Sequence, residues 1–343
     1  MPANALSIFE RAEKERAASR FLKAIPLYVK TLEKAEADLA LKGAALFALG
    51  DTYRMTGDFG MSVKNYIAAQ KLSLKLKDKT GELDSLVGQA LAMRASGQVA
   101  ESIKIFRRCI KVYNKKKDEA GYAFTLWALS GALRVKGDLK EAINGFKAAQ
   151  AAFKKLKDSS GIGYCYTGLG GATRVAGDYR ASYENYKKAN ETFRKLKDTF
   201  GIAYSYCGIA NSMRMRDDFT GSLKYFKLAK DNYKKIGDRV SYAYTLWGRA
   251  SALLMLGRSK EALKDVTEAL HLFKATKDNR GIVYCMISIA QAGILADDPI
   301  GLKIANDALE AAKGLKLKVE TGYAKQILDC AKKSPDKLPL NLA

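Results

Sequence analysis

The feature that most constrains the fold is a repeat with a spacing of 40 residues. One position holds aspartate in six consecutive copies: Asp78, Asp118, Asp158, Asp198, Asp238 and Asp278. A second holds glycine, with Ser241 in one copy: Gly81, Gly121, Gly161, Gly201 and Gly281. A third holds glycine, with Asp217 in one copy: Gly57, Gly97, Gly137, Gly177 and Gly257. A fourth is aromatic: Tyr66, Phe106, Phe146, Tyr186 and Phe226. Such regular spacing predicts stacked structural repeats and argues against one globular core.

Each copy of the repeat reads as two helices, as the segment 121–155 illustrates. Its apolar residues follow helical spacing on both sides of Gly137, a residue suited to the left-handed turn that ends a helix. Asp138 is placed to cap the second helix, and Asp158 to cap the first helix of the next copy. Because strand-like alternation is missing from the sequence, we predict an all-α fold.

One copy carries almost the whole signature of a known family: Leu46, Leu49, Gly50, Tyr53, Gly57, Phe59, Ser62, Tyr66 and Ala69. The pattern resembles that of tetratricopeptide repeat (TPR) proteins. The period of 40 residues is most similar to the long-repeat branch that includes kinesin light chains and Pins-type adaptors. The resemblance covers residues 5–331 and implies a right-handed superhelical solenoid of helix-turn-helix repeats, whose first helices line a concave groove.

These patterns also predict the domain organisation. We expect residues 1–333 to form a single solenoid of seven to eight helical hairpins, with Thr321–Lys333 as a C-terminal capping helix. The segment 334–343 contains two prolines, and we expect it to be a flexible tail.

Composition narrows the classes of function. The 59 Lys and Arg residues against 36 Asp and Glu residues give a net charge of +23, which favours an anionic partner. The one histidine, His271, and the absence of a nucleophile–base constellation or a Cys-x-x-Cys pair argue against an enzyme, a metal site or a cofactor. The first residues lack the basic start and apolar run of a secretory signal, and the number of cysteines is odd, so we expect a cytoplasmic protein.

Two sets of residues recur on a separate face of the first helices, spaced i, i+3, i+7 and i+10. The first set, the arginine ladder, consists of Arg54, Arg94, Arg134, Arg174 and Arg214. The second set, the aromatic ladder, consists of Phe124, Tyr164, Tyr204, Tyr244 and Tyr284, with Trp127 and Trp247 beside it. By the resemblance, both ladders face the groove. Neighbouring guanidinium groups repel one another unless an anion lies along them.

The ladders also have a purely structural interpretation. An arginine near a helix C-terminus can satisfy carbonyl groups, and a tyrosine can pack between adjacent first helices. Lysine never replaces arginine in the ladder, and Gly131 and Gly171 leave room for a ligand backbone. The long-repeat branch usually has a backbone-holding asparagine after its Leu-Gly pair, and here Asn211 alone matches it.

These observations predict a non-enzymatic protein–protein interaction scaffold, or adaptor, that binds an acidic, extended segment of a partner protein in its groove. Two alternatives remain open. Arginines with aromatic residues can bind single-stranded nucleic acid. A lysine-rich edge at the ends of the second helices can bind nucleic acid or an anionic membrane surface. This edge comprises Lys75, Lys77, 115–117, 154–157 and 194–197.

Overall fold

The computed structural model describes residues 4–35, 37–333 and 338–342, and in this part of the chain it has seventeen α-helices and no β-strand. The helices are α1 Ala5–Ala17, α2 Phe21–Lys34, α3 Leu39–Thr56, α4 Phe59–Lys75, α5 Lys79–Ala95, α6 Val99–Lys116, α7 Glu119–Lys136, α8 Leu139–Lys155, α9 Ser159–Val175, α10 Tyr179–Leu196, α11 Thr199–Arg214, α12 Phe219–Ile236, α13 Arg239–Met255, α14 Ser259–Thr276, α15 Asn279–Leu295, α16 Pro299–Gly314 and α17 Lys318–Lys333.

The helices pack in the order of the chain, so that α1 to α16 form eight consecutive hairpins and α17 follows the last of them. Odd-numbered helices are the first helices of the repeat, and even-numbered helices are the second. Neighbouring first helices also contact one another, as α9 does with α7 and α11. This arrangement is a TPR-like helical solenoid and confirms the predicted all-α fold.

The recurrent aspartate caps the first helix of each copy. Asp118 accepts a hydrogen bond from the backbone N–H of Gly121 at 2.8 Å, and Asp158 accepts one from Gly161 at the same distance. Each such cap stabilises its helix by about 1 kcal/mol. The predicted cap at Asp138 is wrong, because its carboxylate forms an ion pair with Lys136 at 2.8 Å instead.

The glycine three residues after each capping aspartate allows close packing between helices. The ring of Phe153, on α8, lies against Gly161, where a Cβ atom would collide with the ring. Phe193 contacts Gly201 in the same way in the next copy. Each second helix thereby packs closely on the following first helix, which explains why this position of the repeat is kept small.

The superhelix closes on itself after about five hairpins. Arg239 Nε, at the start of α13, donates a hydrogen bond to the carbonyl of Thr56 at the end of α3, across 183 residues of chain. Gly137, after α7, lies beside Lys318 at the start of α17, so the same kind of contact, again between helices five hairpins apart, recurs two hairpins further along the chain. These contacts enclose the inner face of the solenoid.

The end of the chain departs from the expected flexible tail. Among the described residues 338–342, the side chains of Leu338 and Leu342 are buried in an apolar cluster with Val283, Ile287 and Ile327. The remaining residues of the segment, 334–337 and 343, lie outside the described residues. Residues 338–342 are therefore packed inside the solenoid.

None of the helices in the described part of the chain has an apolar stretch that would cross a membrane. All five cysteines are free, and Cys109, Cys165 and Cys285 are buried. Burial raises the pKa of the Cys109 thiol to about 11, which keeps it protonated and unreactive at neutral pH.

An ion pair replaces an apolar contact in the seventh hairpin, at a position where the repeat has Leu169. Arg249 forms two hydrogen bonds of 2.6 Å to Asp265 on the paired helix, and the Asp265 side chain is 4% exposed. Because Asp265→Asn leaves the Arg249 charge unpaired, we expect this variant to unfold more easily by about 2 kcal/mol.

The repeat itself supplies the control for this prediction. Arg249→Leu combined with Asp265→Asn reproduces the residues of the fifth hairpin, Leu169 and Asn185, and should recover most of the lost stability. Urea denaturation followed by circular dichroism measures both variants. Equal stability of the single variant and the parent would show that the ion pair contributes nothing.

Candidate functional site

The inner face contains two cavities of about 280 Å³ each, formed mainly by first helices. We call the first the arginine cavity: among its lining residues are Arg94, Arg134, Arg174, Tyr204, Asn211, Tyr244, Trp247, Arg280 and Tyr284. We call the second the aromatic cavity: among its lining residues are Arg54, Phe124, Trp127, Phe153, Tyr164 and Phe200. Of the thirteen residues named from the sequence, twelve line one of these cavities, and Arg214 lines neither.

Arg54 is the member of the ladder with a carboxylate partner. Its Nη2 atom lies 3.0 Å from Asp51 Oδ1, which also accepts a hydrogen bond of 2.7 Å from Tyr66. The charge of Arg54 is therefore compensated within its own hairpin, and this residue is a weaker candidate for binding an anion than Arg94, Arg134 or Arg174.

Arg94, Arg134 and Arg174 have no carboxylate partner in the part of the chain that the structure describes. Two nitrogen atoms of Arg174, Nε and Nη1, are buried and make no hydrogen bond to described residues. Arg94 donates one long hydrogen bond, of 3.4 Å, to the carbonyl of Ala128. Burial, and then the charges of Arg134 and Arg54, lower the pKa of Arg94 to about 10. Three adjacent cations thus line one cavity at an electrostatic cost.

The glycines next to the ladder have a different role from the one expected. A Cβ atom at Gly131 would collide with Arg94 Nη1, and one at Gly171 would lie 3.4 Å from Arg134 Nη1. The expectation that these glycines leave room for a ligand backbone is wrong, because the arginine of the preceding first helix occupies that space. The glycines instead let each guanidinium approach the next first helix closely.

Arg214 is fully buried, and its partners are neutral. Its Nη2 atom donates to the Leu342 carbonyl at 3.0 Å and to Asn211 Oδ1 at 3.1 Å, and Nη1 donates to Asn341 Oδ1. Burial and the charge of Arg174 lower its pKa to about 9. This end of the ladder is closed to an incoming anion by residues near the C-terminus.

The aromatic ladder divides into buried and accessible members. Trp247 and Tyr284 are about 5% and 4% exposed, with ring centroids 4.3 Å apart, so they pack between adjacent first helices. Tyr164 donates a hydrogen bond of 2.8 Å to Asp198, and Tyr244 packs on Phe273. Phe124 is 43% exposed, and it is the aromatic side chain of this set that is most open to a partner.

Asn211 does not offer its amide to a peptide backbone. Its nitrogen donates to the carbonyl of Cys207 at 3.0 Å, and its oxygen accepts from Arg214. The equivalent position two copies later is Gln291, and its Nε2 atom donates to the carbonyl of Pro339 at 2.5 Å. Backbone contact is thus made by Gln291, which does not match the family's asparagine, and not by Asn211, which does.

Arg280 was missed by the sequence analysis, although it lines the arginine cavity. It forms an ion pair of 2.6 Å with Glu320, a carboxylate with no exposed surface, and donates to the Tyr284 hydroxyl at 2.9 Å. The sequence does contain a signal for this residue: Arg280 places a charge at a position of the repeat that is apolar, Val240, in the preceding copy.

The fold and its enclosed inner face define an α-solenoid of stacked helical hairpins. Its hairpins are tetratricopeptide-like: the model of the tetratricopeptide repeat family matches residues 84–115. No curated protein matches the sequence.

Solved structures with this fold include two Rap proteins. A Rap protein complexed with Competence and Sporulation Factor is 12% identical, with a TM-score of 0.62 over 98% of this chain and 99% of that one. The Rap conjugation gene regulator of plasmid pLS20, in complex with the Phr* peptide, is 11% identical, with a TM-score of 0.68 over 91% and 96%. A putative kinesin light chain of Podosopora anserina is 16% identical, with a TM-score of 0.43 over 57% and 96%.

Proposed function

We propose that the chain is a non-enzymatic binding scaffold whose inner face receives an acidic, extended segment of a partner protein. The observation that carries this proposal is the arginine cavity, where Arg94, Arg134 and Arg174 face one space without carboxylate partners among the described residues. Carboxylates of the partner would complete charge-assisted hydrogen bonds that these guanidinium groups lack.

The aromatic cavity supports an extended ligand with apolar side chains between its acidic ones. It lies on the inner face and contains the exposed ring of Phe124, with Trp127 beside it at a centroid distance of 5.5 Å. Aromatic side chains in a partly open pocket are frequent anchors in protein interfaces. The two Rap proteins with this fold were solved in complex with Competence and Sporulation Factor and with the Phr* peptide, which supports a peptide or protein as the class of partner.

The direct test uses a fluorescent peptide of about ten residues in which glutamate alternates with leucine, measured by anisotropy at two salt concentrations. We expect it to bind at least tenfold more tightly than the same peptide with glutamine in place of glutamate, because the glutamine peptide cannot neutralise the arginine cavity. Equal affinity of the two peptides would contradict the proposal.

One observation favours an anionic surface as a second candidate partner. Lysine occupies the left-handed position after six of the second helices, with φ of 54–58°, where glycine is less strained: Lys77, Lys117, Lys157, Lys197, Lys277 and Lys316. A side chain in this conformation costs about 1 kcal/mol. Lys77, Lys117, Lys157 and Lys197 belong to the lysine-rich edge, and a lysine in this strained position favours a functional role for its charge. Cosedimentation with vesicles of anionic lipid, or binding of a single-stranded oligonucleotide, would support this candidate.

A further inference from the structure

The segment 338–342 lies on the inner face without regular secondary structure. Its first residue, Leu338, and its last, Leu342, are each 7% exposed. Both pack in the apolar cluster that α15, α16 and α17 form at the end of the solenoid. Leu340, between them, also packs against this cluster, so the segment meets the solenoid through every second residue, as an extended peptide ligand does.

Side chains of two first helices bind the polar groups of this segment. Gln291, on α15, donates to the carbonyl of Pro339, and Arg214, on α11, donates to that of Leu342. Asn341 accepts from Arg214 Nη1 and donates to the Arg214 carbonyl at 2.9 Å. The segment therefore runs from α15 towards α11, across the first helices in reverse order.

The residues that hold the segment are committed to it. Gln291 is 1% exposed and Arg214 has no exposed surface, so water does not reach the Gln291 amide or the Arg214 guanidinium. Without their hydrogen bonds to the segment, these polar groups would be buried and unsatisfied. Arg214 carries a full charge, yet every oxygen it contacts in the described chain is neutral. This chemistry suits backbone carbonyls and an amide rather than an acidic side chain.

We propose that the inner face of α11 and α15 is a binding site for an extended, uncharged, leucine-rich segment, and that its occupant is residues 338–342 of the same chain. The site goes beyond the acidic-segment function, because its residues and the charge of its ligand differ from those of the arginine cavity. A segment of similar chemistry from another molecule binds here only after it displaces the chain's own residues.

The test uses the full chain with a protease recognition sequence in place of residues 334–337, cut after folding and washed. The probe is a labelled synthetic peptide with the sequence of residues 338–343, amidated so that it carries no carboxylate. We expect the cut protein to bind the probe at least tenfold more tightly than the uncut protein, where the tethered copy competes at an effective concentration of about a millimolar.

Variants in the cut protein identify the site. Gln291→Ala should weaken binding of the probe about tenfold, because the Pro339 carbonyl loses its donor. Gln70→Ala, which removes a hydrogen bond to Gln89 on distant helices, should leave it unchanged. Equal binding of the probe by cut and uncut protein, or no binding by cut protein that keeps its circular dichroism spectrum, would overturn the proposal.

Hydrogen exchange in the uncut chain covers the case in which cutting disrupts folding. We expect the amides of residues 340–342 to exchange at least tenfold more slowly than in the free peptide, and Gln291→Ala to reduce this protection. Exchange as fast as in the free peptide would overturn the proposal. Because the probe is uncharged, a negative result here leaves the prediction for acidic peptides in the arginine cavity untouched.

Discussion

Replacing Arg134 and Arg174 together with glutamate is expected to weaken binding of the acidic peptide by at least ~100-fold. Each lost charge-assisted hydrogen bond costs about 1.5–3 kcal/mol, and the new carboxylates repel those of the peptide. Fluorescence anisotropy with the glutamate–leucine peptide measures the loss. The effect is expected to be large because both side chains face the same cavity.

The matched control reverses two charges outside the cavity. Lys155 and Lys195 are exposed on the lysine-rich edge, so Lys155→Glu with Lys195→Glu changes the net charge by the same amount. We expect this control to change affinity by less than about threefold, since surface charges are screened by salt. An equal loss in both double variants would show that the overall positive charge, and not the arginine cavity, captures the peptide.

The stability of the same variants separates a binding role from a structural one. Arg94, Arg134 and Arg174 repel one another across the cavity, and burial with Arg134 nearby already lowers the pKa of Arg94. Removing the Arg134 charge in Arg134→Gln should therefore leave the melting temperature unchanged or raise it. Replacing a residue that stabilises the fold would lower the melting temperature. A functional residue, in contrast, often destabilises the folded protein, so that its replacement stabilises it.

The sequence was sufficient to place most of the candidate site because the repeat fixes which residues share a face. Once the spacing of 40 residues identifies the first helices, an i, i+3, i+7, i+10 pattern puts Phe124, Trp127 and Arg134 on one side of α7. Equivalent residues of successive copies then align along the solenoid. In the structure these rows lie on the inner face. Arg54 lines the aromatic cavity, whereas Arg94, Arg134 and Arg174 line the arginine cavity.

Contacts between distant copies could not be predicted in this way. The hydrogen bond from Arg239 to Thr56 depends on the pitch of the superhelix, which accumulates from small packing angles at every hairpin. The same holds for the contacts of Arg214 with the end of the chain. The repeat predicts which face of its helix Arg214 occupies, but no local pattern shows that it meets residues 127 or more positions along the chain.

The glycines beside the ladder show a different limit of the sequence. The sequence shows that residue 131 is a glycine and therefore leaves space beside the helix, but it does not show which atoms fill that space. The guanidinium of Arg94 reaches across from the preceding first helix and occupies it. A small residue on a binding face therefore indicates close packing there without saying whether a ligand or the protein supplies the atoms.

The ion pair between Arg280 and Glu320 joins α15 to α17 and is expected to give the largest effect on stability. Glu320 has no exposed side-chain surface, and Arg280 is 17% exposed. Glu320→Gln leaves the Arg280 charge unpaired, so we expect the free energy of unfolding to fall by about 3–5 kcal/mol, as measured by urea denaturation at pH 7.

The pH dependence gives this prediction a second readout. Burial alone would raise the pKa of Glu320, but the Arg280 guanidinium holds this pKa below its ordinary value of 4.5. A lowered pKa in the folded state means that the stabilisation is fully present above about pH 4.5 and is lost as the pH falls below that value. We therefore expect the difference in stability between the parent and Glu320→Gln to narrow at low pH.

The repeat again supplies the control, because Arg280 and Glu320 occupy the position that is Val240 in the preceding copy. Arg280→Val with Glu320→Val removes both charges and should recover most of the stability that Glu320→Gln loses. Glu320→Gln alone should also bind the acidic peptide more tightly, since it adds a fourth unpaired cation to the arginine cavity. If Glu320→Gln lowers stability but leaves the affinity for the acidic peptide unchanged, Arg280 has a structural role alone. If Glu320→Gln leaves stability unchanged, the ion pair does not stabilise the fold.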